Sequence, residues 1–157
     1  MVARTESGYS LITGGTVLNA VRHWTPPELA PPIGKYSHLS QAAAGHSLVF
    51  VAGQVGNRPG GGPLGDAADQ ARQIYANLAA LVDHLGVTPA NIVKLFTLVA
   101  GVEHLPAFYA ARDEIFREWY PDGVYPTHSL AVVAALAAPE VALEVEAVVA
   151  VPDGATP

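Results

Sequence analysis

Two carboxylates and one imidazole are the groups in this chain whose placement could move a proton. Glu144 and Glu146, in ALEVEAV, are two residues apart in a stretch that reads as a β-strand, so both project from one face. Burying an unpaired charge is costly, so two carboxylates on an otherwise apolar strand leave two readings open. The strand is an edge with a solvated face, or one carboxylate lies in a cleft where partial burial raises its pKa enough to handle a proton of water. His128 stands in YPTHSL, two residues after a proline and next to Ser129, where a loop turns into a strand. An imidazole there either satisfies a neighbouring backbone group or serves as a hydrogen-bonding and proton-transfer group near neutral pH. Tyr36 and His38, in GKYSHLSQ, precede the first clear strand and read on their own as a hydrogen-bonded loop.

Other chemistries find less support. The triple glycine of NRPGGGPLGD precedes a helix but lacks the Gly-Lys-Ser/Thr ending of a phosphate loop and the Gly-x-Gly-x-x-Gly fingerprint, so it reads as a flexible connection. The histidines at 23, 38, 46, 84, 104 and 128 include no pair at the i, i+4 spacing that would share one helical face, and no metal site is expected. With no cysteine there is no disulfide framework, thiolate nucleophile or Cys-based zinc site, a composition that fits a reducing cytoplasm. The net charge is −6 and the eight Lys and Arg are scattered singly, which argues against nucleic acid as a partner. The N-terminal MVARTESGYSLITGG lacks an export pattern, and the apolar runs LVFVAG and AVVAALAA are far shorter than the roughly 20 residues that span a bilayer. The expectation is a soluble cytoplasmic protein without membrane contact.

The elements that must position these groups follow from periodicity. Residues 1–32 form an arm, with a possible strand TVLNAV and the proline-heavy TPPELAPP. SLVFVAGQV, from Ser47, reads as a buried strand, followed by the loop GNRPGGGPLG. From Asp66 apolar residues recur at Ala71, Ile74, Tyr75, Leu78, Leu81, Val82 and Leu85, which predicts an amphipathic helix capped by Asp66 and ended at Gly86. NIVKLFTLVAG predicts a strand apolar on both faces, and a second helix is expected from about His104 to Trp119, with Leu105, Phe108, Ile115, Phe116 and Trp119 on one side. HSLAVVAAL from His128 and VALEVEAVVAV from Val141 predict two last strands around the turn AAPE. This order predicts one α+β domain, a mixed β-sheet with two helices packed on one face. The second face, apolar as well, needs a cover. In a 157-residue chain that is 50% apolar and 14% charged, a copy of itself is the expected one.

Taken together, PPIGKYSHLSQA, LVFVAGQVG, DQARQIYANLAALVDHLGVTPANIVKLFTLV and YPTHSLAVVAALAAPEVALEVEAVVAV resemble the RidA/YjgF family. These are small imine and enamine deaminases, some once labelled translation inhibitors or endoribonucleases. The likeness covers about residues 30 to 151 and rests on order and spacing more than on any one motif. It implies a chorismate-mutase-like homotrimer with sites in the clefts between subunits, built by a domain over 33–152 between the arm 1–32 and a tail 153–157. It also implies that Tyr36, Gly53, Tyr109, His128, Ser129 and Glu144 line the cleft, not all from one chain. His128 and Glu144 would be the catalytic pair and the other four would contact substrate, with no metal or cofactor. The chain departs from the family where it matters. His128 stands where deaminases carry an arginine in Pro-x-Arg-Ser, whose planar fork holds a substrate carboxylate. Ala52 replaces a serine, Tyr109 an asparagine and Lys35 a proline. The resemblance implies hydrolytic deamination, tautomerisation or cyclisation of an imine, enamine or related metabolite. The alternatives are a non-catalytic small-molecule-binding trimer and, against the acidic charge balance, an endoribonuclease.

Overall fold

Asp66 starts the longer helix by accepting a hydrogen bond from the backbone N–H of Asp69 at 2.9 Å, which satisfies one of the donors a first turn leaves open. The computed structural model, which describes residues 20–62 and 64–154, places this helix, α1, at Ala67–His84. Gly86 just beyond it has φ 68°, the left-handed conformation that glycine adopts without a Cβ penalty. Gln70, Ala71, Ile74, Tyr75, Leu78 and Val82 form the buried stripe of α1 at helical spacing. The second helix, α2 (Leu105–Trp119), follows a short 3-10 turn, with Pro106 in its first turn where a missing N–H costs nothing. No helix among the described residues is long and apolar enough to cross a membrane.

Among the described residues six strands accompany the helices: β1 (Val21–Trp24), β2 (Leu39–Ala42), β3 (His46–Gln54), β4 (Ile92–Ala100), β5 (Thr127–Val133) and β6 (Leu143–Pro152). β3, β6, β4 and β5 form a mixed sheet in that order, with β4 and β5 parallel and the other pairs antiparallel. Register decides which side chains share a face. Leu95, Thr97 and Val99 of β4 pair with Ala147, Val145 and Leu143 of β6, and all are buried against α1 and α2. Each fully buried Leu or Val contributes about 1.5–3 kcal/mol relative to exposure, which fixes the register against a one-residue slip. The opposite face carries Phe96 beside Glu146 and Leu98 beside Glu144. There Phe50 is 76% and Leu48 47% exposed, an apolar surface that the two helices do not cover.

β1 and β2 pair with each other in a separate two-stranded ribbon. Most of TVLNAV lies outside the described residues; pairing begins at Val21. The ribbon is tied to the start of β5 through Ser40, whose Oγ lies 2.7 Å from His23 Nδ1 and accepts the N–H of Thr127 at 3.0 Å. Gln70, 2% exposed, joins α1 to the loop before β6. Its Nε2 donates to Gly65 O at 3.1 Å and Glu140 O at 3.0 Å, and its Oε1 accepts from Ala142 N at 2.9 Å. The segment entering β6, two residues ahead of Glu144, is thereby tied to α1.

Candidate functional site

Glu144 owes its position to a missing side chain. β3 breaks register with β6 between Val51 and Gln54, and Gly53 sits in that bulge. A Cβ on Gly53 would lie 2.6 Å from Cδ and 2.8 Å from Cγ of Glu144, so the carboxylate arm lies across the hollow that glycine leaves. Gly53 and Glu144 are therefore in direct contact, on the face away from the helices. Glu146 shares that face, as strand spacing predicted, and is exposed. It lines a depression of about 360 Å³ with Phe50, Ala52, Lys94 and Phe96. Ser129, exposed, pairs with Phe96 and thus falls in the row of Glu146 instead of Glu144.

His128 faces the other way. It pairs with Leu95, whose side chain is on the helix face, and its Nε2 shares a 2.8 Å hydrogen bond with Oγ1 of Thr97, which is fully buried. Its ring meets that of Phe108 edge-on, with centroids 6.4 Å apart. Burial pushes the imidazole down to about 4, and the Arg112 guanidinium adds to that shift. At neutral pH His128 is uncharged. Within one chain its charged neighbour is a cation, and the sheet lies between His128 and Glu144. The structure does not bring these two residues together in a single chain.

Tyr109 and Tyr36 belong to the His128 side. Tyr109, 40% exposed, adjoins Phe108 with ring centroids 5.5 Å apart. Tyr36, half-buried, meets His38 edge-on at 5.5 Å. Its segment is pinned at two points: Lys35 Nζ lies 3.3 Å from Asp113 Oδ2 on α2, and Ser37 N donates to Pro126 O at 3.2 Å, just ahead of β5.

Sequence reasoning missed Arg112. It occupies the buried stripe of α2 between Phe108 and Phe116 and is 8% exposed, with its Cζ 4.8 Å from the Tyr109 ring centroid. The signal was present: residues 108, 112 and 116 are four apart, so a charged residue interrupts an apolar helical face. Asp113 Oδ1 accepts from Arg112 Nε at 2.9 Å and Nη2 at 2.7 Å. Burial alone would raise the Asp113 carboxyl, but bonding to Arg112 and Lys35 outweighs it and holds the group below the usual carboxylate range. Among the described residues no three His, Asp or Glu side chains gather as a metal site.

The profile of the family described as Endoribonuclease L-PSP matches residues 28–151, most of the chain. The chain belongs to this family, the RidA/YjgF proteins. A RutC family protein of Haemophilus influenzae is 35% identical over 124 residues, 77% of this chain and 91% of that one. A 2-iminobutanoate/2-iminopropanoate deaminase of Rattus norvegicus is 31% identical over 106 residues, 66% of this chain and 72% of that one. Among solved structures, the Rid-family protein YyfB of Yersinia pestis superposes with a TM-score of 0.69 at 29% identity, covering 83% of this chain and 98% of that one. Escherichia coli TdcF with bound serine superposes with a TM-score of 0.60 at 29% identity, covering 75% and 89%. These likenesses agree with the α+β sheet-and-two-helix fold expected of a RidA/YjgF chain.

Proposed function

We propose that this chain is a RidA-like enzyme that hydrolyses the C=N bond of a small imine, or of the enamine that tautomerises to it, in clefts formed where three identical chains meet. The observation that carries the reading is the Glu144 carboxylate lying across Gly53: a base seated in the hollow that glycine leaves, on the sheet face away from the helices. Glu144 takes a proton from water as the water oxygen bonds to the imine carbon and the C=N π pair moves to nitrogen, which is protonated. The resulting carbinolamine collapses: Glu144 passes the hydroxyl proton to the amine nitrogen, a C=O bond forms, the C–N bond breaks and ammonia leaves. Positioned general acid–base transfer of this kind contributes typically about 10²–10⁴ in rate.

His128, uncharged and bonded to Thr97, serves as a hydrogen-bonding group to substrate, with Tyr36 and Tyr109 as walls. Ser129 contributes on the Glu144 face. Because His128 and Glu144 lie on opposite faces of one sheet, a complete site needs Glu144 from one chain and His128 from its neighbour. The exposed Leu48 and Phe50 supply the apolar surface that a neighbour would bury. Relatives named as imine deaminases, and a relative that holds serine, an amino acid of similar size, support the substrate class.

Ammonia release from freshly generated 2-iminopropanoate and 2-iminobutanoate tests the chemistry, and light scattering tests the assembly. The reading expects a trimeric mass and a rate that Glu144→Ala lowers at least about a hundredfold. A monomer in solution, or equal rates for wild type and variant, refutes it. Binding without turnover is the second reading, favoured by the exchange of arginine for His128. It gains if 2-oxobutanoate binds while no imine is consumed.

A further inference from the structure

We infer that Arg112 holds the carboxylate of the substrate, so that this chain carries its anion anchor on helix α2 in place of an arginine at position 128. The inference rests on the imine-hydrolase reading for the identity of the substrate, but its geometry stands apart from that reading. A guanidinium presents two edges that can each hold a carboxylate. In Arg112 the edge made by Nε and Nη2 is taken by a single oxygen of Asp113. The edge made by Nη1 and Nη2 is left over. Nη1 forms no hydrogen bond among the described residues, yet the buried side-chain atoms found there without a partner are His23 Nε2 and Tyr75 Oη and do not include it. The N–H groups of Nη1 therefore reach solvent, although the residue as a whole is 8% exposed.

Charge balance points the same way. Asp113 is one carboxylate shared by two cations, with Lys35 3.3 Å from its second oxygen. The cluster has a net charge of +1 and is short of an anion. A guanidinium sunk among rings, 4.8 Å from Tyr109, 5.8 Å from Phe108 and 5.7 Å from Phe116, has lost much of its hydration. A second carboxylate would offset that loss. The location fits the site as well: Phe108 touches both Arg112 and His128, Tyr109 lies under the guanidinium, and Lys35 adjoins Tyr36. Burial, with Arg112 adding to it, keeps His128 neutral, so the imidazole does not supply the anion-binding charge.

The test is calorimetric titration of the assembled full-length protein with 2-oxobutanoate, a carboxylate with the shape of the deamination product, alongside kcat and KM for 2-iminobutanoate. Arg112→Met keeps apolar contact with the rings and removes the charge; Arg112→Lys keeps the charge and removes the fork. Losing a charged bidentate contact should weaken 2-oxobutanoate binding at least about tenfold in the Met variant and less in the Lys variant, with KM rising more than kcat falls. His128→Arg added to Arg112→Met should recover part of the loss, which a packing role for Arg112 would not allow. Thermal melts check that each variant folds, and if the Met variant does not, the Lys variant carries the test. Failure of 2-oxobutanoate to bind the wild type, or equal binding by the wild type and the folded variants, overturns the inference. Imine turnover that persists unchanged in the variants removes the anchor and leaves the hydrolase reading intact. Arg112-dependent binding with no turnover removes the hydrolase reading and leaves the anchor.

Discussion

Replacing Gly53 with alanine asks whether the position of Glu144 matters separately from its presence. The backbone allows the change, because Gly53 is not among the glycines with positive φ. The added Cβ would lie 2.6 Å from Cδ and 2.8 Å from Cγ of Glu144. Unstrained carbon contacts lie at about 3.5–4.0 Å and Oε1 lies nearer still, so the carboxylate arm must move by at least about 1 Å. What stands in the way is the far end of a flexible side chain, so it can swing aside without moving the strand. The stability cost should fall at or below the low end of the 1–3 kcal/mol typical of overpacking, about 1 kcal/mol. The catalytic cost should be larger: a displacement of about 1 Å in a reacting group costs on the order of 10² in rate, close to 3 kcal/mol of barrier. Urea unfolding and ammonia release, measured on the same preparations, separate the two effects. The control is Glu144→Ala, which removes Cγ, Cδ and the carboxylate; in that background Gly53→Ala should cost nothing further in rate. A Gly53→Ala variant that is folded and fully active would refute the assignment of Glu144 as base. So would rate losses that simply add in the double variant.

Two other outcomes concern stability. Gln70→Leu removes three hydrogen bonds and leaves the N–H of Ala142 and two carbonyls without their partner, so it should cost about 3 kcal/mol or more. The urea midpoint should fall with little change in slope. Acid should destabilise the fold through His128 and His23, both held down at about 4 chiefly by burial, with Arg112 adding to the first and Asp122 opposing the second. The unfolded chain takes up these protons near pH 6.5 and the folded chain only near pH 4, so stability is full above pH 6.5 and is lost as pH falls toward 4. His128 alone accounts for up to about 3 kcal/mol over that window. Urea midpoints at pH 7.5 and 4.5 check the sign, and His128→Gln should flatten the profile.

The helices were legible because their signals are local. The Asp66 cap, the apolar residues three and four apart and Gly86 fix α1 to within a residue, and Pro106 does nearly the same for α2. Strand identity was legible too, but partners were not. β5 stops at Val133 instead of running through the apolar residues after it, and β6 begins at Leu143 instead of Val141. Those ends depend on which neighbour offers hydrogen bonds. The β1–β2 ribbon escaped notice because its four-residue strands carry no alternation and pair across a proline-rich connection. At the site, Gly53 follows from the resemblance alone, whereas Glu144 stands out by its spacing from Glu146 on one strand face; their contact depends on a bulge that periodicity does not reveal. Arg112 is readable as a charge on an apolar helical face, but its packing among Phe108, Tyr109 and Phe116 depends on tertiary contacts that spacing does not give.

The parity of β4 has a last consequence. Leu95 and Leu98, which flank His128 and Glu144 respectively, are an odd number of positions apart, so no rotamer change can bring the imidazole and the carboxylate to one side of the sheet. If the two groups act on one substrate as proposed, a single chain has no activity. Specific activity would then depend on protein concentration, steady while chains remain associated and vanishing on dilution below their dissociation constant.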